Sequence, residues 1–115
     1  MSTGCLFCNI VARSIPAQIV HENDHVLAFR DINPKAPTHA LVIPKRHITG
    51  IHDATPGDTA LLGEILLAAR DVAEKLGLGQ GGYRLVMNQG ADGGQSVLHL
   101  HCHVMGGRPM AWPPG

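Results

Sequence analysis

Leu98-His99-Leu100-His101-Cys102-His103-Val104 alternates imidazole with apolar or small side chains at every step. A β-strand sends successive side chains to opposite faces, so this pattern predicts a strand over Leu98 to Met105 with one histidine face and one apolar face. An apolar face of that kind needs a core to pack against. The stretch therefore fixes both a sheet and the place on it where chemistry concentrates, because imidazole serves as nucleophile, proton carrier or metal ligand near neutral pH.

Immediately upstream, Gly90-Ala91-Asp92-Gly93-Gly94-Gln95-Ser96 reads as a glycine-rich turn, preceded by a strand over Tyr83 to Asn88. Further back lies the one long helix. Thr55 is its expected cap, Pro56 suits its first position, Asp58 completes a capping box and Gly77 suits its end. Between them Leu61, Leu62, Ile65, Leu66, Ala69, Val72, Ala73 and Leu76 form an apolar stripe, which predicts core or dimer packing.

The first half of the chain reads as strands. Leu6 to Ala12 carries apolar residues at helical spacing and is stopped by Ile15-Pro16, predicting a short N-terminal helix. Ala17 to Glu22 and His25 to Asp31 form a hairpin about Asn23-Asp24, and His39 to Pro44 is a nearly continuous apolar run suited to a buried central strand. Strands grouped on either side of a single long helix predict an α+β fold on an antiparallel sheet, in one domain spanning residues 1–115.

Composition narrows the partners. The chain has 115 residues, nine basic and nine acidic, for a formal net charge of zero. No basic stripe invites nucleic acid, and no apolar run is long enough to span a bilayer, so the expectation is a cytoplasmic protein acting on a small ligand. A chain this short builds only a modest core, which favours a homodimer. Of the three cysteines, Cys102 falls on the apolar face of the histidine strand, where a buried thiol is expected. Cys5 and Cys8 stand in C-x-x-C spacing, which serves redox chemistry or half of a zinc site; the strand-helix context of a thioredoxin-type motif is absent. His21, His25 and His52 are expected to be solvated. Trp112, in a Gly/Pro-rich tail with no local core, is expected to dock on a partner subunit.

Joined to the glycine loop, the three imidazoles predict an anion pocket. If the anion is a phosphoryl group, neutral His101 can attack phosphorus while a backbone carbonyl holds its other nitrogen. His103 and the loop N–H groups would meet the charge on the nonbridging oxygens, and Ser96 would bond or help protonate the leaving atom. Such a scheme needs no cofactor for its chemistry.

These residues also carry a family likeness. His99-Leu100-His101-Cys102-His103-Val104, with Asn88-Gln89-Gly90 and Gly93-Gly94-Gln95-Ser96 before it, resembles the histidine triad signature. The likeness extends to Ile15-Pro16-Ala17, Leu27 to Ile32, Ala36-Pro37-Thr38-His39, Val42-Ile43-Pro44-Lys45, Gly106-Gly107-Arg108 and Trp112-Pro113-Pro114-Gly115. Within the histidine triad (HIT) superfamily it is similar to the Hint branch of nucleotide-binding proteins. The resemblance implies a homodimeric hydrolase of purine nucleoside 5′-phosphoramidates and of aminoacyl or lysyl adenylates, working through a nucleotidyl-histidine.

By position, the resemblance makes His101 the nucleophile, with His103, Asn88, Gly94, Gln95 and Ser96 at the phosphate and leaving group. It puts Asp31 on the ribose hydroxyls, His39 and His99 in support of the nucleophile, and Leu6, Phe7, Ile10, Phe29, Ile32 and Leu41 around the base. Some bacterial members hold zinc through residues matching Cys5, Cys8, His47 and His99, which would make a closed, structural tetrahedral site. Three other functions remain open at this point: a dinucleoside polyphosphate hydrolase of the Fhit branch, a nucleotide-sensing scaffold dimer with incidental turnover, and a catalytic metal centre built on the histidines. Ser96, Gly106-Gly107 and the Trp112 to Gly115 ending favour the Hint branch over the first.

Overall fold

The computed structural model describes residues 4–115. Five strands, β1 (Ile19–Glu22), β2 (Val26–Arg30), β3 (Thr38–Pro44), β4 (Tyr83–Val86) and β5 (Cys102–Gly106), form one sheet in the order β1-β2-β3-β5-β4, with every neighbouring pair antiparallel. A short helix α1 (Leu6–Val11) precedes them, and the long helix α2 (Thr59–Lys75) lies between β3 and β4. The predicted α+β architecture is the one observed.

Alternation along the strands builds two cores. Val26 and Ala28 of β2, Ala40 and Val42 of β3, and Cys102 and Val104 of β5 pack with Ile65, Ala68, Ala69, Val72 and Ala73 of α2. Their neighbours in sequence face the other way, where Leu27, Phe29, Leu41 and Ile43 meet Phe7 and Ile10 of α1. Both faces of the central strands are covered, so β2 and β3 read as continuous apolar runs. The histidine side of β5 belongs to the α1 face.

The long helix departs from expectation at its start. Thr55 to Asp58 does form the predicted capping box, with the Thr55 N–H donating to the Asp58 carboxylate at 2.9 Å. That box closes a 3₁₀ turn over Pro56–Asp58, and regular α-helix begins only at Thr59. Burial and the hydrogen bond from Thr55 act oppositely on Asp58, and the backbone bond prevails, holding its carboxyl below the usual value; Arg46 reinforces it. At the far end Gly77, at φ 80°, reverses the chain. The Leu78 N–H then reaches the Ala73 carbonyl at 2.8 Å and the Gly77 N–H the Glu74 carbonyl at 3.1 Å, while the buried Leu78 side chain seals the turn, a Schellman stop.

The more consequential departure concerns the histidines. The predicted strand over Leu98 to Met105 is half as long: β5 begins at Cys102, and residues 98–101 make no ladder. They lie instead on the turn that follows β3. The Leu100 N–H donates to the Ile48 carbonyl at 2.6 Å and His99 Nε2–H to the Pro44 carbonyl at 2.8 Å. Alternation survives without the ladder, since Leu100 joins the α2 core while the His99 and His101 rings contact Phe7. Leu98, placed on the apolar face by its spacing, is 62% exposed because the chain bends over residues 97–99 before it joins the core at Leu100.

Ile65 is fully buried where α2 crosses β2 and β3. Replacing it with alanine removes the transfer energy and leaves a cavity, so Ile65→Ala is expected to cost about 2–5 kcal/mol in a chemical denaturation series.

Candidate active site

Each triad ring is held by a group that dictates which nitrogen carries the proton. His101 Nδ1–H donates to the His99 carbonyl at 2.7 Å, so Nε2 is left with its lone pair. His99 Nε2–H donates to the Pro44 carbonyl, so its Nδ1 carries the lone pair. His39 receives the Lys35 backbone N–H on Nδ1 at 3.0 Å and must therefore be protonated on Nε2, which points at His103 Nδ1 2.9 Å away. His103 in turn accepts on Nδ1 and presents its Nε2–H outward. One ring of the pair His101–His103 thus offers a lone pair and the other a proton, with centroids 4.9 Å apart.

Burial keeps this arrangement neutral. Desolvation, then His101 and His39, lower His103 to about 4. Desolvation lowers His39 as well, against the pull of Asp31, whose carboxylate sits 3.5 Å from His39 Nε2. Desolvation likewise lowers His99. A neutral His39 and a neutral His103 are what a directional hydrogen-bond relay requires.

Around the rings, α1 supplies the wall. Phe7 packs edge-on against His101 at 5.2 Å, His99 at 5.8 Å and Phe29 at 5.4 Å between centroids. Of the apolar residues expected around a base, Phe7, Ile10, Phe29 and Leu41 form one buried cluster, whereas Ile32 is 89% exposed and Leu6 is exposed at the surface. Asp31 accepts the Asn33 N–H at 2.8 Å on Oδ1, fixing the carboxylate at the end of β2. Among the described residues the side chains of Asn88 and Ser96 make no internal hydrogen bond, so both remain available to a ligand.

Gln95 is different. Its N–H and side-chain oxygen exchange bonds with Gly90, and its amide NH₂ donates to the carbonyls of Thr49 and Val97 at 2.7 and 3.1 Å. Gly93 has a packing reason to be glycine: a Cβ there would lie 2.3 Å from the Gln89 carbonyl oxygen.

Two clusters bring titratable groups together. In the first, His99 Nδ1 lies 3.3 Å from Cys5 Sγ, 3.5 Å from Cys8 Sγ and 3.2 Å from His47 Nδ1, and Cys8 Sγ lies 3.3 Å from His47 Nδ1. Zinc bonded to nitrogen at about 2.0–2.1 Å and to sulfur at about 2.3 Å would separate tetrahedral ligands by about 3.3–3.8 Å, close to these distances. The donor set fits, because the Pro44 carbonyl has already taken the His99 proton on the far side. The second cluster, Asp31, His39 and His103, is spatially as tight. There the Lys35 N–H fills one His39 nitrogen and forces the proton onto the other, so the group is a relay and not a ligand set.

Of the remaining histidines, His25 contacts Glu64 at 3.1 Å on the surface, and the His52 backbone N–H is bonded to Gln89 Oε1 at 3.0 Å. Cys102 is buried, and desolvation pushes its thiol up to about 11, as a core position demands. Trp112 is 82% exposed, and the Ala111 carbonyl beside it accepts from Arg84 at 2.7 Å. No helix among the described residues is long and apolar enough to cross a membrane.

A profile of the HIT domain matches residues 12–110. This chain belongs to the HIT domain family. It is 53% identical, over all 115 residues of both chains, to an uncharacterized HIT-like protein of Synechocystis. A crystal structure of a HIT family hydrolase from Legionella pneumophila superposes with a TM-score of 0.95 at 53% identity, covering 97% of this chain and 100% of that one. A histidine triad protein from Clostridium difficile gives 0.91 at 39% identity, covering 96% and 97%.

The neutral relay has a measurable consequence. The unfolded chain protonates its histidines near pH 6.5, whereas folded His103 does so only near 4. More protons are then bound to the unfolded state across that window, so stability falls as pH falls from about 6.5 toward 4. Thermal unfolding should show a lower Tm at about pH 5 than at about pH 7.5, and NMR should find the His103 ring still neutral at about pH 6.

Proposed function

We propose that this HIT protein hydrolyses purine nucleoside 5′-phosphoramidates, and aminoacyl or lysyl adenylates, through a nucleotidyl intermediate on His101. The observation that carries this reading is the bond from His101 Nδ1–H to the His99 carbonyl, which leaves Nε2 as an oriented lone pair beside His103. Attack of Nε2 on the α-phosphorus forms a P–N bond to His101 and breaks the bond to the leaving amine or carboxylate. Water then cleaves the histidine adduct, releasing the nucleoside monophosphate.

Other residues take roles that their geometry supports. His103 Nε2–H, held by His39, donates to a nonbridging oxygen; the Gly94 and Gln95 N–H groups are taken by Ala91 and Gly90, which leaves the Ser96 N–H as the backbone donor of this segment. Ser96 and Asn88 serve the leaving group and phosphate. Asp31 binds the ribose hydroxyls, and Phe7, Ile10, Phe29 and Leu41 form the floor under the base, with exposed Ile32 closing over it. His99 supports from behind.

Cys5, Cys8, His47 and His99 fit zinc, which when bound supplies a structural anchor and takes no part in the transfer. These side chains tie α1, and with it Phe7, to the segment that carries His101. A homodimer completes the reading: β4 is an edge strand with Tyr83 and Leu85 exposed, and Leu66 and Leu67 of α2 are 51% and 54% exposed. An apolar edge of this kind calls for a covering partner. Trp112 then lies free to reach a neighbouring subunit's pocket.

Adenosine 5′-phosphoramidate should yield AMP, and His101→Ala should lower turnover by at least about 10³-fold while leaving AMP binding measurable. Acid-quenched mass spectrometry should trap a nucleotidyl adduct on His101 in metal-depleted protein. Tight AMP binding without turnover would instead make the chain a nucleotide sensor.

The zinc assignment has its own check. Purified protein should contain about one zinc per chain, and Cys8→Ser should lose it along with thermal stability. Removal of residues 111–115 should change the ranking of leaving groups more than it changes Tm, and unaltered kinetics would argue against a role for Trp112.

A further inference from the structure

We infer that Gln95 is a positioning residue that braces the glycine loop against the turn after β3, and that it acts on the phosphate without touching it. The side-chain amide of Gln95 and its backbone N–H are already used. Its backbone N–H donates to the Gly90 carbonyl at 3.0 Å, and its Oε1 accepts the Gly90 N–H at 2.9 Å. Its two amide hydrogens go to the carbonyls of Thr49 and Val97 at 2.7 and 3.1 Å. A ligand contact through this side chain would require breaking one of these bonds.

The partners explain what the brace does. Gly90 opens the glycine loop and Val97 leads out of it, so bonds to both fix its span. Thr49 ends the turn whose Pro44 and Ile48 carbonyls hold His99 and Leu100. Phosphate loop and nucleophile segment are thereby referred to one short piece of backbone.

Gly50 shows how close the clamp sits. A Cβ there would lie 2.4 Å from Gln89 Oε1 and 3.2 Å from Gln95 Oε1. Gln89 itself bonds the His52 N–H at 3.0 Å, so two glutamines close over one glycine.

This inference rests on the phosphoryl-transfer reading for its functional consequence, and the experiment keeps the two apart. Hydrogen exchange at the Gly90 amide would be measured in the free protein for wild type, Gln95→Met and Gln95→Glu. Affinity for AMP, affinity for adenosine, and kcat/KM for adenosine 5′-phosphoramidate would be measured alongside. Met removes all three side-chain bonds, whereas Glu keeps an acceptor for Gly90 but sets a carboxylate against the Thr49 and Val97 carbonyls.

Gln95→Met should speed Gly90 exchange by about ten-fold or more, and both variants should weaken AMP by about ten-fold while leaving adenosine unchanged. Gln95→Glu, which is nearly isosteric and keeps the acceptor for Gly90, guards against a variant that fails to fold. Weakened AMP binding with unchanged Gly90 exchange would mean that the side chain touches the ligand, overturning the inference. Faster exchange with unchanged AMP affinity would overturn it equally. If wild type turns over no phosphoramidate, the hydrolase reading fails while the exchange and affinity measurements still decide the brace.

Discussion

The hydrogen bond from His101 Nδ1–H to the His99 carbonyl, on which the orientation of the triad rests, lies just beyond the end of the β-ladder. Had the strand run back to Leu98, as strict alternation predicts, Leu98 and Leu100 would have bonded β3. Pro44 prevents this. Continuing the observed register of Val42 with Cys102 would set Pro44 opposite Leu100, and the Pro44 carbonyl does point to that side, where His99 Nε2–H meets it. A residue's N–H and C=O share one strand edge, so the edge that should feed Leu100 lacks a donor. The ladder stops, the Leu100 N–H turns to Ile48, and the His99 carbonyl accepts from the next histidine, His101. The proline thus ends the strand just where the tautomer-setting bond forms.

The two-faced sheet makes that device stable. Leu100, Cys102 and Val104 are anchored in the α2 core while the intervening histidines are held from the opposite face by Phe7. Neither face alone would fix the rings, since alternation gives direction but not rotation about χ angles. The α1 helix supplies the second constraint, and its placement depends on Cys5 and Cys8 meeting His47 and His99. The residues that wall the pocket and the residues suited to zinc lie on the same six-residue helix. The thiols are therefore linked to His101 through the packing of Phe7.

Much of this was legible beforehand because the signals were local. The C-terminal glycine at Gly77, the Thr55 to Asp58 box and the continuous apolar run of β3 each depend on neighbours a few residues apart. The histidine face was legible for the same reason, as a period-two pattern. What escaped was set by groups distant in sequence: the start of β5 by Pro44, the tautomer of His39 by the Lys35 N–H, and the role of Gln95 by Thr49. Backbone carbonyls and N–H groups have no letter in a sequence, so no pattern announces them. The resemblance to known histidine triad proteins named Gln95 among phosphate contacts, whereas its bonding points to a role through the loop. By its spacing Phe7 read as an ordinary apolar position; the resemblance put it around the base, and its ring contacts with His99 and His101 put it against the triad.

The two clusters of ligating side chains show how little separates a metal site from a proton relay. Both gather histidines with thiol or carboxylate partners whose ligand atoms lie within 4.8 Å of one another. At His99 the backbone partner is a carbonyl, which takes the proton and turns a lone pair toward the thiols. At His39 the backbone partner is an N–H, which takes the lone pair and turns a proton toward His103. Exchanging donor for acceptor at one backbone atom reverses what the ring can offer its neighbours. His39 and His103 are therefore committed to hydrogen bonding, and burial reinforces the commitment by keeping both neutral. An added proton on His103 would fall on Nδ1, which already accepts from His39 Nε2–H, so charging the ring would break the bond between them. The fold thus holds His39 and His103 in the neutral, oriented state through geometry as well as burial.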